Sequence, residues 1–263
     1  MKAAKPVVLV GLLAMAALLA VLFVLLPDRN TLLITGATAA PLLGKPATVG
    51  VFLTIENSGG PDRLTAARSI VAQRARLESS IADAGLPIPA DSSASLAPDG
   101  AFILLDGVGG DLKEGRMIPI TLRFETAGEL RTQARLVMPR TTGIAGAYGL
   151  FGIGDICTVE EGEPAPRLAL EVRPDGADWI VAVKAEDFTF SQDMLDGPHV
   201  PGTGHGHLYL GGLKLQRFFE PEVRIGALPP GTHEVRVTLN TNDHRAYVVG
   251  DDPVTATALI TVP

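Results

Sequence analysis

The chain has 263 residues, a formal net charge of −7, 46% apolar residues and 5% aromatics. Such a length holds a membrane segment plus two domains of about 100 residues each, and an acidic balance with no basic block excludes nucleic acid as a partner. With 29 glycines, 20 prolines and a single cysteine, Cys157, the composition favours turn-rich β structure over long helices and excludes an intrachain disulfide.

Residues 1–30 are read as a signal-anchor. Val7 to Leu26 is an uncharged run, VVLVGLLAMAALLAVLFVLL, preceded by Lys2 and Lys5. A helix of about 20 residues reaches about 30 Å, the thickness of the hydrocarbon core. A cleavable signal has a shorter apolar region and an Ala-x-Ala-like site, whereas Pro27-Asp28-Arg29-Asn30 follows here. Lysines stay on the cytoplasmic side. The expectation is therefore a single-pass inner-membrane protein whose later domains face outward, in the periplasm.

Residues 31–138 read as a first β-domain. Thr31 to Gly36 is a short apolar strand, but Pro41 and the late Gly44 rule out a dinucleotide-binding turn. Val49 to Ile55 alternates and closes on the turn Asn57-Ser58-Gly59-Gly60. Residues 63–84 suit a helix by propensity and a strand by the RARLESS pattern, and short apolar patterns leave both open. Pro87, Pro89, Ser92, Ser93 and Ser95 mark a loop. Three strands follow, from Ala101 to Leu105, Met117 to Phe124 and Leu130 to Val137. Short strands at this spacing suggest a sandwich or barrel.

The segments VGVFLTIENSGGPDRLTAARS, RARLESS and PDGAFILLDGVGGDLKEGRMIPITLRFETAGELRTQARL resemble the PCu(A)C family of periplasmic copper chaperones. The resemblance implies a cupredoxin-like β-barrel and delivery of Cu(I) to a copper-accepting envelope protein, such as a respiratory oxidase assembly component. The family's ligand positions fall on Glu78, near Pro87 or Pro89, and on Phe102 and Leu104, none of which is a soft donor. The first domain is therefore expected to keep the scaffold without its own metal site.

Residues 139–166 read as a Gly/Pro-rich linker. Residues 167–263 turn β again: LALEVRPDGADWIVAVKAEDFTF is strand, turn, strand. Leu208 to Leu215 forms a hairpin over Gly211-Gly212, THEVRVTLN alternates throughout, and Thr255 to Val262 closes the chain as a strand. Such a count of strands points to an immunoglobulin-like β-sandwich. EDFTF, GPHVPGTGHGHLYLGG and LPPGTHEVRVTLNTNDHRAYVV also resemble a domain fused behind PCu(A)C domains in bacterial envelope proteins, which implies export and suggests metal binding.

All five histidines lie between 199 and 244. His205 and His207, two apart in a strand, present both imidazoles to one face. Imidazole suits copper, zinc and nickel, and a thioether tilts the choice toward copper. The candidate ligands are His205, His207, His244, His199 and Met194. Asp196 and Asp243 are candidate acceptors that orient an imidazole, or simply turn residues. His233 is read as structural, and Cys157 as either a quiet buried thiol or a site for intermolecular chemistry. The expected function is copper handling or delivery by a non-enzyme, with Cu(I) or Cu(II) as cargo. The alternative is a non-metal envelope assembly module. A hydrolase lacks its motifs here: there is no His-Glu-x-x-His helix and no nucleophile elbow.

Overall fold

The computed structural model describes residues 31–42, 44–79, 85–138 and 156–263. The expected signal-anchor and most of the expected linker lie outside the described residues. Among the described residues, no helix is long and apolar enough to cross a membrane, and every regular element is a strand.

The first β-region contains β1 (Leu32–Pro41), β2 (Val49–Asn57), β3 (Asp62–Arg68), β4 (Arg74–Glu78), β5 (Leu86–Ile88), β6 (Ser92–Leu96), β7 (Phe102–Asp106), β8 (Met117–Phe124) and β9 (Glu129–Leu136). Residues 63–84, open between helix and strand on sequence, supply β3 and β4. Strand partners on both elements decide this: β3 pairs with β8 and β5, and β4 pairs with β7. Ala and Arg lack strong β propensity, but propensity yields to cross-strand pairing and burial. The Pro87–Ser95 stretch, expected as a loop, contains β5 and β6, which pair with β3 and β2. β1 joins β2 antiparallel and β9 parallel, linking the two sides of the barrel. Inward residues of these strands, among them Val51, Ile55, Leu64, Ile103, Ile120 and Leu122, form one apolar core.

The second β-region contains β10 (Ile156–Thr158), β11 (Arg167–Asp175), β12 (Asp178–Glu186), β13 (Thr189–Phe190), β14 (Thr203–Leu210), β15 (Leu213–Phe218), β16 (Glu222–Ile225), β17 (Gly231–Thr241), β18 (Ala246–Val249), β19 (Asp252–Pro253) and β20 (Thr255–Val262). β10 falls inside the stretch expected to be linker, and it pairs in parallel with β18. β17 is flanked by β14 and β20, and β14 continues into β15 over the expected glycine turn. β11, β12 and β16 form a separate three-stranded sheet. Val181, Val183, Val223 and Ile225 of that sheet share a core with Leu208, Leu210, Val235, Val237 and Ile260 of the larger one. One face of β14 is thereby committed to the core. The opposite face carries His205, His207 and Tyr209.

The two β-regions belong to one compact unit, Leu32–Pro263. The tip of the β14–β15 hairpin docks on the first region: Ala101 N donates to the Gly212 carbonyl at 2.6 Å, and Ser79 Oγ to the Gly211 carbonyl at 2.8 Å. Leu213 is buried within the first region's core. Asp99 holds the same place electrostatically, accepting from Tyr209 Oη at 2.7 Å and Lys214 Nζ at 2.9 Å.

Candidate metal centre

The sequence Thr-Gly-His-Gly-His of β14 alternates small and imidazole side chains for a steric reason. A Cβ at Gly206 would lie 2.1 Å from Phe218 Cζ, and one at Gly204 would lie 1.9 Å from the Asn240 carbonyl oxygen. The glycine face is closed by its neighbours, so both histidines turn to the other face. There the Nε2 atoms of His205 and His207 stand 3.1 Å apart, and the residues are 0% and 4% exposed. Two nitrogens bound to one tetrahedral ion at about 2.0–2.1 Å each stand about 3.3–3.4 Å apart. The observed spacing is close to that.

Burial holds His205 down to about 3, helped by the charge of Arg217. Burial likewise holds His207 down to about 2, helped by Lys214. Both rings are therefore neutral at physiological pH, the state a metal ligand needs. Their Nδ1 atoms are buried without a partner among the described residues.

His244 joins the pair from the turn after β17. Its ring centroid is 5.2 Å from that of His205, its Nε2 lies 2.5 Å from Asp196 Oδ1, and its Nδ1 lies 3.5 Å from Arg217 Nη2. His205, His207, His244 and Asp196 thus gather in one place. His199 stands instead against Cys157, with Nε2 3.6 Å from Sγ, and against the Tyr247 ring. Burial pushes the Cys157 thiol up, so it stays protonated at neutral pH. Met194 is 44% exposed, its sulfur 3.9 Å from Thr203 Oγ1 and 3.9 Å from Asn242 Nδ2. Asp243 turns to Thr241 and Arg245. His233 Nε2 bonds the Pro229 carbonyl at 2.7 Å, a role in holding the start of β17. Among the described residues, no three His, Cys, Asp or Glu side chains are already arranged to hold a metal ion.

Sequence reasoning missed Arg217 and Asp99. Arg217 lies opposite His207 in the β14–β15 register, and an exposed arginine two strands' length away carries no linear signal of that. In the first β-region the positions matching the family's ligands carry other contacts. Glu78 pairs with Arg76, Phe102 packs on Phe52 at 5.9 Å, and Leu104 is buried.

The first β-region is thus nine paired strands around one apolar core, joined to a second β-region bearing the paired imidazoles. Residues 33–136 match the family described as "Putative lipoprotein LpqE-like", which bears out the first region's resemblance to a PCu(A)C-type copper-chaperone domain. Among solved structures, the chain is similar to the "Copper-bound PCuAC domain from PmoF2", at 23% identity over 41% of this chain and 94% of that one, TM-score 0.38. It is similar to the "Apo PCuAC domain from PmoF1", at 27% identity over 43% of this chain and 98% of that one, TM-score 0.38. Apo-DR1885 from Deinococcus radiodurans is 24% identical over 42% of this chain and 81% of that one, TM-score 0.35. No curated protein matches the chain.

Proposed function

We propose that this protein is a membrane-anchored, outward-facing copper-binding protein that handles or delivers copper without catalysing a reaction. The observation that carries the reading is the buried His205–His207 pair, with its two Nε2 atoms 3.1 Å apart. Burial keeps both rings neutral, and the proton shared in their Nε2···Nε2 hydrogen bond moves to that ring's Nδ1 when an ion takes both Nε2 atoms. His244 completes the donor set, and His199 and Met194 belong to the loop over the same end of the sheet. The signal-anchor over residues 1–30 would hold the protein in the inner membrane with its β-regions in the periplasm. The second β-region is read as the immunoglobulin-like sandwich, with the site on its strand β14 facing a copper-accepting envelope protein by way of His244 at the sheet's end.

Two or three imidazoles suit copper as Cu(I) or Cu(II), and a donor set short of the four ligands that zinc takes in a closed protein site favours copper over zinc. The first β-region acts as a rigid support, its ligand positions given over to Phe102, Leu104 and the Glu78–Arg76 pair.

Titrating the chain with Cu(I) and Cu(II) beside a His205→Ala/His207→Ala variant tests the proposal. Stoichiometric binding that the variant loses is expected. Equal, weak binding by both proteins would replace it with an assembly module, a reading favoured by the close docking of the two β-regions.

A further inference from the structure

Arg217 stands where a cation is least expected beside metal donors. It lies opposite His207 in register, so the two side chains share a face. Its Nη2 is 3.5 Å from His244 Nδ1, while His244 Nε2 is against the Asp196 carboxylate. A guanidinium can only donate and an ionised carboxylate can only accept. Together these partners set the ring's orientation, with the Nδ1 lone pair toward Arg217 and Nε2–H toward Asp196. A metal-ligating histidine is arranged in the same way, with one nitrogen on the ion and the other N–H on a carboxylate. The guanidinium occupies the ion's place on that lone pair.

The backbone holds this arrangement under strain. Asp196 and His244 both have positive φ, at 63° and 69°, which is uncommon for residues other than glycine and persists where surrounding contacts impose it. The Asp196 amide is tied to the Asn242 carbonyl at 3.0 Å. Arg217 itself is exposed and can swing into water, while His205 and His207 are locked in the sheet.

Resting on the metal site proposed above, we propose that Arg217 is a cationic gate: it caps the His244 lone pair until a soft monovalent ion displaces it, and its return drives the ion out. Asp196 is the positioning residue: by taking Nε2–H it leaves the Nδ1 lone pair on the side of Arg217. The gate also selects by charge, because a divalent ion meets twice the repulsion that a monovalent one meets at the same distance. Lys214, held on Asp99, adds to the same field.

The test uses the full-length chain in detergent, with Cu(I) presented by a chromogenic chelator and Zn(II) as the comparison ion. Arg217→Gln and Arg217→Met are expected to bind Cu(I) about tenfold more tightly, to return it to the chelator more slowly, and to gain more for Zn(II). Arg217→Lys is expected to stay near wild type. X-ray absorption is expected to count three nitrogen donors in the wild type and two in His244→Ala. If the neutral variants bind Cu(I) no more tightly than a wild type that does bind, the gate is overturned and the site stands. If His205→Ala/His207→Ala binds as the wild type does, site and gate fall together.

Discussion

Two neutral imidazoles buried side by side make this protein's stability sensitive to acid. His205 and His207 are held at about 3 and about 2, below the ordinary 6.5, chiefly by burial. In the unfolded chain both rings take up protons as the pH falls below about 6.5. The unfolded state then binds more protons than the folded one, so stability is complete above that value and declines as the pH falls toward 3. Urea unfolding of the copper-free protein at about pH 7.5, 5.5 and 4.5 is expected to show a midpoint that drops at each step. A His205→Leu/His207→Leu variant is expected to show a flatter profile, since the apolar pair has nothing to protonate. A wild-type midpoint constant across that range would contradict the burial of the pair. The histidine concentration was legible in sequence, as was the shared face of His205 and His207. The pairing of His199 with Cys157 was not, because β10 and the loop before β14 meet only in the fold.

At the scale of the element, β14 is the strand on which the site depends. Its glycines are required by close packing: Gly206 lies under the Phe218 ring, with 2.1 Å left for a Cβ. Gly206→Ala is expected to cost about 1–3 kcal/mol, the range for overpacking a filled core, and to weaken copper binding by displacing the neighbouring histidines. Chemical denaturation and the chelator competition read the two effects separately. Most strands with strict alternation, such as β8 and β17, were visible in the residue pattern because a half-buried strand needs period two. β3 and β4 were ambiguous because their Ala- and Arg-rich composition states no period. Their partners β8 and β7 decided the matter. β5, β6 and β10 are too short to carry a pattern, and only pairing makes them strands.

At the scale of the molecule, the two β-regions share more than a linker. Backbone bonds cross between them at Ala101–Gly212 and at Ala90–Ala227. Asp99 accepts from Tyr209 and Lys214, and its carbonyl accepts from Arg236 at 3.2 Å. Gly226 meets the Ala90 carbonyl so closely that a Cβ would stand 2.1 Å from it. The described β-regions are therefore expected to unfold in one calorimetric transition. Asp99→Ala is expected to remove about 2 kcal/mol, the scale of hydrogen bonds to a charged group, and to separate that transition into two. A single unshifted transition in the variant would show that the docking rests on the remaining contacts, among them the backbone bonds, Ser79 and Leu213.

Sequence alone determined the mainly β character, the resemblance of the first region to PCu(A)C domains, the lack of soft donors at the positions that resemblance marks, and the common face of His205 and His207. Each follows from local composition, period two or direct residue identity. Tertiary structure decided which other residues reach that face. His244, Asp196 and Arg217 come from three separate parts of the second β-region, and His199 and Met194 lie in other contacts. The physical reason is that strand register and loop closure set which side chains converge, and both are fixed by burial over the whole sheet rather than by neighbours in the chain.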